Sequence, residues 1–237
     1  MQRKMRYLMM GILFAAGVVI EGIASYKPTE TYLVIGGSSA YGWAAANNES
    51  YLERAFAALS ASTGTNYKEV NRALIGGTAA RLSPATFRAW VALARPQIVV
   101  LSWGLLDDIR HKTPAALFVA AIRGEIQTSL QAGAEVLIVT PPPVIASQNN
   151  AEFTHYLNLE RETARAMGSS SVVWIGLNRG MREYLRAHGL HAADFANPGD
   201  TWHPDGPGHA LAGQILYYDL RGLFGASPIT AARQPRA

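Results

Sequence analysis

Tyr32-Leu-Val-Ile-Gly-Gly-Ser-Ser-Ala-Tyr-Gly-Trp43 is the stretch of sequence that decides the fold. Its first four residues are apolar or aromatic, which is typical of a strand covered on both faces in a parallel sheet. Gly36 and Gly37 then allow the backbone to turn sharply, so Ser38 lies at the carboxyl end of that strand. Because ligands of open α/β sheets bind beyond the strand ends, Ser38 is a candidate nucleophile. A turn that simply favours Gly and Ser is the structural alternative.

Four further apolar runs alternate along the chain with segments of helical spacing. The predicted later strands cover about 70–75, 97–103, 135–140 and 171–175, and the predicted helices about 51–59, 84–94, 114–131, 150–167, 181–187 and 208–223. This alternation predicts a three-layer α/β/α sandwich around a five-stranded parallel sheet. The strand ends meet at one edge, where we expect Ser38, the turn at Gly76, a loop that starts at Gly104, and the late loop that contains Asp200 and His203.

Composition excludes several other classes of protein. The 237 residues suffice for one α/β domain, and 49% hydrophobic with 16% charged residues argues against disorder or a repeat array. The net charge of +4 is concentrated near the two termini, and no basic stripe with interleaved aromatics is present, which argues against nucleic-acid binding. The absence of Cys excludes disulfides and thiolate metal sites.

The amino terminus has the layout of a secretory signal. Three basic residues within the first six precede the uncharged run 7–20, Glu21 interrupts it, and small residues follow up to Ala24. Residues 1–24 are therefore predicted to be a signal peptide or a membrane anchor. Either one predicts an exported protein that is periplasmic, secreted, or anchored facing outward, with membrane attachment only through this segment.

Asp200 and His203 are candidates for the acid and the base that activate a serine nucleophile. A serine nucleophile needs a base within hydrogen-bond reach and an acid that holds this base in the right tautomer. Asp200 and His203 are three residues apart in a loop bounded by Gly and Pro. This spacing lets the carboxylate accept from Nδ1 of the imidazole while Nε2 faces Ser38.

The order of these motifs resembles the SGNH (GDSL-type) hydrolases over about residues 32–223. The resemblance rests on Gly36-Gly-Ser38, a Gly turn after the second strand, Gly104-Leu-Leu-Asp107 after the third, and Asp200-Thr-Trp-His-Pro204 near the end. It implies a flavodoxin-like α/β/α fold and hydrolysis, or sometimes transfer, of acyl esters without a metal or organic cofactor.

The resemblance also assigns roles to individual residues. By it, Ser38 is the nucleophile and its N–H is one oxyanion donor, Gly76 supplies a second donor, and Asp200 and His203 are the acid and base of a triad. The tryptophans of the expected cleft are predicted to bind substrate together with the residue at position 106: Trp43, Trp103, Leu106 and Trp202.

Two positions depart from the family pattern. Gly37 stands where the motif has Asp, and Leu106 stands where the family has its oxyanion Asn. Leu cannot donate a hydrogen bond, and one lost oxyanion donor typically costs about 100- to 1000-fold in turnover. The sequence offers Asn71, Asn178 or a shifted loop as substitute donors.

Other candidate groups carry weaker signals. Ser39 is the rival nucleophile, but Ser38 puts Gly42 four residues on, as the family turn has it. Asp107 and Asp108 are consecutive and therefore point apart, which suits helix capping or a pair with Arg110 better than an acid pair. The remaining histidines show no metal-ligand spacing: His111, His155, His188, His191 and His209.

The sequence thus predicts an exported serine esterase that hydrolyses O-acyl esters, on cell-envelope or extracellular carbohydrate or on short-chain or lipid esters. Its substrate is a small-molecule or saccharide ester. One alternative is a glycan-binding module whose catalytic activity is weakened by Leu106. The other is an O-acyltransferase that modifies envelope polysaccharide. The predicted division is 1–24 signal or anchor, 30–225 catalytic domain and 226–237 flexible tail.

Overall fold

The computed structural model describes residues 27–230, which contain five strands and eight α-helices. The strands are β1 (Thr29–Gly36), β2 (Asn66–Asn71), β3 (Ile98–Ser102), β4 (Glu135–Val139) and β5 (Val172–Ile175). The helices are α1 (Ser38–Tyr41), α2 (Tyr51–Ser62), α3 (Pro84–Ala94), α4 (Leu106–His111), α5 (Ala115–Gln131), α6 (Ala151–Ala166), α7 (Leu177–Ala187) and α8 (Gly206–Phe224).

All five strands are parallel, in the order β2-β1-β3-β4-β5, so the predicted five-stranded parallel sheet is confirmed. The chain runs from β1 outward to β2 and then crosses back to β3 on the other side. In such sheets the crevice beyond the ends of the two strands at this switch point is where ligands bind. Ser38 lies just after β1 and Gly104 just after β3, so both lie at that crevice.

Helices cover both faces of the sheet, which confirms the three-layer sandwich. Leu33 and Ile35 of β1 are fully buried and belong to the core formed with α3, α5 and α6. Tyr32 and Val34, which point to the other face, belong to the core formed with α2, α7 and α8. The buried strands are apolar on both faces, as a parallel sheet between two helical layers requires.

Two local predictions were wrong. The second strand covers Asn66–Asn71 instead of 70–75, because β2 is an edge strand whose outer side tolerates polar residues, whereas Ile75 is 55% exposed. The predicted loop after Gly104 contains the helix α4. Acidic residues in its first turn and basic residues in its last turn complement the helix dipole.

The carboxyl-terminal boundary also differs from the prediction. Residues 226–230 were assigned to a flexible tail, but Ile229 is fully buried in the core and its N–H donates to the Tyr67 hydroxyl. The rest of that tail and the predicted signal or anchor at 1–24 lie outside the described residues. Within 27–230, no helix is both long and apolar enough to cross a bilayer.

Three buried carboxyl groups with raised pKa values lie in the layer that contains α4, α5 and α6. Asp108, Glu125 and Glu160 are all more than nine-tenths buried. Burial raises the pKa of Asp108 to about 6 and the pKa of both Glu125 and Glu160 to about 8. One oxygen of Glu125 accepts a hydrogen bond from the Trp103 indole at 3.0 Å. At neutral pH the two glutamates are therefore mainly protonated.

We expect Glu125→Gln to flatten the dependence of folding stability on pH. Folded Glu125 keeps its proton up to about pH 8, whereas the unfolded chain releases it near 4.5, so its contribution to stability is complete below 4.5 and is lost as the pH rises toward 8. As the pH rises across that window, the free energy of unfolding of the variant should increase relative to that of wild type by at most about 1.4 kcal/mol per pH unit. Urea unfolding at pH 5, 6, 7 and 8 measures this. The matched control is the exposed Glu162→Gln, and an identical pH slope in Glu125→Gln and wild type would contradict the expectation.

Candidate active site

Ser38 is positioned by the close approach of β1 to β3. A Cβ on Gly36 would lie only 2.0 Å from the carbonyl oxygen of Ser102, so only glycine fits at this position. The N–H of Gly37 donates to the same oxygen at 3.1 Å and turns the chain into α1. Ser38 is the first residue of that short helix and is largely buried, with 8% of its surface exposed.

The glycine at position 37 has a local explanation. A Cβ at Gly37 would lie 3.0 Å from the backbone nitrogen of Gly104, which is closer than most real Cβ contacts. The aspartate that the family motif carries would therefore crowd the chain that leaves β3. A side chain at position 37 would therefore require the Gly104 segment to shift slightly.

The loop that carries Asp200 and His203 is closed on itself before α8 begins. The N–H of Asp200 donates to Asn197 at 2.9 Å across a turn in which Pro198 and Gly199 are the central residues, and Gly199 has a φ of +76°. Proline followed by a residue of positive φ is the signature of a type II turn. The N–H of Asn197 donates in turn to the carbonyl of His203 at 3.1 Å, which ties the two ends of the loop together.

The structure brings Ser38, His203 and Asp200 into one chain of hydrogen bonds. Ser38 Oγ lies 2.8 Å from His203 Nε2, and His203 Nδ1 lies 2.6 Å from Asp200 Oδ2. The other oxygen of Asp200 accepts the N–H of Trp202 at 2.7 Å. Asp200 and His203 are only 3 positions apart in the sequence. Ser38 and His203 are 165 positions apart, so their contact depends on the fold.

The electrostatics of Asp200 fix the imidazole tautomer. Partial burial alone would raise the pKa of Asp200, but the hydrogen bonds from the Trp202 N–H and from His203 outweigh it and lower that pKa. An ionised Asp200 can only accept, so Nδ1 of a neutral imidazole carries the hydrogen. Nε2 then presents its lone pair to the Ser38 hydroxyl, which is the arrangement a general base needs.

A small cavity lies beside Ser38 and His203. Gly104, Ser39 and Asp107 contribute to its lining. The rest of the lining is apolar: Leu106, Pro141, Pro142, Val144, Phe153 and Trp202. The cavity is small. The space inside it that the centre of a water molecule can reach is only about 10 Å³, which is room for about one water molecule.

Trp43 also lies near His203, but it does not line the small cavity beside Ser38. Its ring centroid is 6.1 Å from that of His203, and the side chain is 41% exposed. The backbone carbonyl of Trp43 accepts from Nε2 of the buried His209 at 3.0 Å, while Nδ1 of His209 accepts the N–H of Tyr51. Burial lowers the pKa of His209 to about 4, so it is neutral and can make both bonds. Sequence reasoning missed this anchor because His209 has no partner nearby in the sequence.

Two sequence predictions about this site need correction. Trp103 was predicted to line the cleft, but it is fully buried in the core and its indole donates to Glu125. Of the two roles predicted for Asp107 and Asp108, helix capping or a pair with Arg110, neither is found for the buried Asp108: α4 has no side-chain cap, and Asp108 forms no ion pair with Arg110.

The other predicted positions lie as follows. His203 contacts Ser38 and not the rival Ser39, although both serines line the cavity. Gly76 lies in the turn from Leu74 to Gly77 and is not among the lining residues, so its role as a donor stays a prediction.

The two proposed substitute donors are used elsewhere. The side-chain amide of Asn71 donates to the carbonyl of Ala40 at 3.2 Å, and that of Asn178 donates to Pro141 at 3.1 Å. Neither residue lines the cavity beside Ser38. Across residues 27–230, no group of three or more His, Asp or Glu side chains is placed to hold a metal ion.

No protein-family model matches the sequence, and no curated protein matches it either. Solved structures do match the fold. A lipolytic protein of the G-D-S-L family from Desulfitobacterium hafniense DCB-2 superposes with a TM-score of 0.61 at 17% identity, over 80% of this chain and 98% of that one. The psychrotrophic esterase EstA from a Pseudoalteromonas species gives 0.62 at 14% identity, over 81% and 97%.

The acetylxylan esterase Axe2 from Geobacillus stearothermophilus is also similar. Its TM-score is 0.63 at 16% identity, over 83% of this chain and 95% of that one. Catalytic mutants of Axe2 replace a serine, an aspartate and a histidine, and its aspartate precedes its histidine by three positions. Asp200 and His203 have the same spacing here.

Proposed function

We propose that this chain, which has the fold of the SGNH (GDSL-type) hydrolases, is a serine esterase that hydrolyses carboxylic O-acyl esters. Ser38 is the nucleophile, His203 the general base and acid, and Asp200 the group that orients His203. The observation that carries this proposal is the unbroken chain of contacts of 2.8 Å and 2.6 Å from Ser38 Oγ through His203 to Asp200.

The geometry supports a two-step acyl transfer. In the first step Ser38 Oγ attacks the ester carbonyl carbon while its proton moves to His203 Nε2. The tetrahedral intermediate then collapses, the bond to the alcohol oxygen breaks, and His203 gives this oxygen the proton. In the second step water attacks the acyl-enzyme with His203 again as base, and the collapse returns the proton to Ser38 and releases the carboxylic acid. Asp200 stabilises the imidazolium formed in each step.

The oxyanion site of this enzyme is expected to be incomplete. The N–H of Ser38 in the first turn of α1 would be one donor, and the resemblance assigns Gly76 as another. Leu106 lines the cavity in place of the family's asparagine and cannot donate. A missing donor typically costs about 100- to 1000-fold in turnover, so we expect a slow esterase.

Covalent labelling tests the proposed function directly. A fluorophosphonate should modify the peptide that contains Ser38, and this modification should disappear in Ser38→Ala, because only the activated serine forms the phosphonyl ester. The similar esterase EstA is described as inhibited by monoethylphosphonate. Labelling that persists in Ser38→Ala would remove Ser38 from its role.

For the substrate we propose esters whose alcohol part is a carbohydrate. During the first step the leaving oxygen must lie next to His203, and the exposed Trp43 ring lies beside that imidazole. Aromatic rings give large apolar contact surfaces, which suit the face of a sugar ring. The similar enzyme Axe2 is an acetylxylan esterase, which supports the same substrate class.

Trp43→Ala should therefore separate sugar esters from simple esters. We expect kcat/KM for an acetylated xylo-oligosaccharide to fall about tenfold, which corresponds to about 1.4 kcal/mol of lost contact. Hydrolysis of p-nitrophenyl acetate should change far less. The control is Trp90→Ala, a partly buried tryptophan of α3 that does not line the cavity beside Ser38. An equal loss on both substrates would mean that Trp43 supports the site and does not bind the sugar.

We also propose that the enzyme acts outside the cytoplasm. This rests on the basic, apolar and small-residue pattern of residues 1–24. Cell fractionation followed by amino-terminal sequencing tests it, and recovery of the intact chain in the cytoplasm alone would contradict it.

A further inference from the structure

The walls of the cavity beside Ser38 are made of side chains with little freedom to move apart. Pro141 and Pro142 belong to a run of three prolines and are both buried. Val144 is 5% exposed, and its N–H and carbonyl are both bonded to the Ser147 hydroxyl. Phe153 is 1% exposed within α6. Well-packed walls of this kind resist extra methylene groups.

Leu106 is part of the same apolar wall. It is the first residue of α4, is 7% exposed, and belongs to the same apolar core as Val144 and Phe153. Its side chain takes space that would otherwise extend the cavity, which is limited to about 10 Å³. An acetyl methyl group is close to water in size, whereas a longer acyl chain has no room.

The chemistry of the site indicates which part of the ester faces this cavity. The carbon under attack carries Ser38 Oγ, the oxyanion, the leaving oxygen and the acyl chain. The leaving oxygen has to lie next to His203, whose ring is 6.1 Å from the exposed ring of Trp43. Of the other substituents only the acyl chain is apolar, so it is the one that suits the apolar wall where Leu106 lies.

We infer that Leu106 limits the enzyme to acetyl esters, so that the residue that removes an oxyanion donor also sets the acyl length. This inference rests on the proposed esterase function. One extra methylene in a closed apolar pocket is typically discriminated by about 10-fold or more. Wild type should therefore prefer acetate over butyrate, which has two more methylenes, by about 100-fold in kcat/KM.

The test compares kcat/KM for p-nitrophenyl acetate, butyrate and hexanoate in wild type and in Leu106→Ala. We expect the butyrate-to-acetate ratio to rise about tenfold or more in Leu106→Ala, because the truncated side chain opens the cavity. The ratio is measured on a single preparation, so it does not depend on the fraction of correctly folded enzyme. Val144→Ala, on another wall, should shift the ratio in the same direction, and Leu106→Met, which keeps the volume, should hold it near the wild-type value.

The matched control is Leu185→Ala, another buried leucine, in α7 on the opposite face of the sheet. Its ratio should equal that of wild type, although its stability should suffer in a similar way. Equal kcat/KM for acetate and hexanoate in wild type would overturn the acyl limit and leave the esterase proposal standing. An unchanged ratio in both Leu106→Ala and Val144→Ala would overturn the role of this wall. Failure of wild type both to hydrolyse any ester and to react with a fluorophosphonate would overturn the proposed function, and this inference with it.

Discussion

Replacing Ser38 or His203 by alanine should lower kcat/KM for p-nitrophenyl acetate by at least about 10,000-fold, and the double replacement should cost no more than either single one. The physical reason is that the two side chains act as one unit. In the proposed mechanism the Ser38 proton moves to Nε2 across the 2.8 Å contact, and neither partner could do this alone. Steady-state kinetics on the three variants, with active-site titration of the wild type, measures the effect.

Ser39→Ala is the discriminating variant for this first prediction. Ser39 lines the same cavity and lies next to Ser38, but His203 contacts only Ser38. We expect Ser39→Ala to lose less than about tenfold. A larger loss from Ser39→Ala than from Ser38→Ala would reverse the assignment of the nucleophile. Additive losses in the double variant would show that Ser38 and His203 do not act together.

The meeting of Ser38, His203 and Asp200 could be predicted from the sequence because parallel strands place their carboxyl ends at one edge. The apolar run before Gly36 identifies a buried strand, and the Asp200 to His203 spacing needs only a short loop to bring the carboxylate to the imidazole. Both features are local. The single long-range step, the approach of His203 to Ser38, followed from the topology that the alternating strands and helices imply.

Features that depend on distant packing could not be predicted in this way. An aromatic residue such as Trp103, just after a buried strand, suits a cleft or a core equally well. In the folded chain it lies in the core and bonds to Glu125, which is 22 positions later in the sequence. The link between His209 and Trp43 spans 166 positions. The narrowness of the cavity depends on contacts among Leu106, Val144 and Phe153, which belong to three separate segments. No local pattern in the sequence reports any of these contacts.

Asp200→Asn should lower kcat/KM for p-nitrophenyl acetate by about 10,000-fold at neutral pH while leaving the fold intact. Wild-type Asp200 has a lowered pKa and accepts from Nδ1, so Nε2 is free to take the serine proton. An asparagine amide in the same place can donate to Nδ1. The imidazole hydrogen then moves to Nε2, where it faces Ser38 and blocks proton abstraction.

Two further measurements make the Asp200 prediction specific: the rate of fluorophosphonate labelling and the activity of a control variant at another aspartate. The rate of fluorophosphonate labelling of Ser38 should fall together with kcat/KM in Asp200→Asn, because both reactions need the activated hydroxyl, whereas thermal unfolding should shift by only a few degrees. Asp194→Asn is the matched control: Asp194 is exposed and accepts a backbone N–H at position 191 within the same part of the chain, so we expect its activity to stay within about twofold of wild type. If Asp200→Asn kept more than a tenth of the wild-type rate, Asp200 would not be what orients His203, and the 2.6 Å contact would serve only to hold the loop.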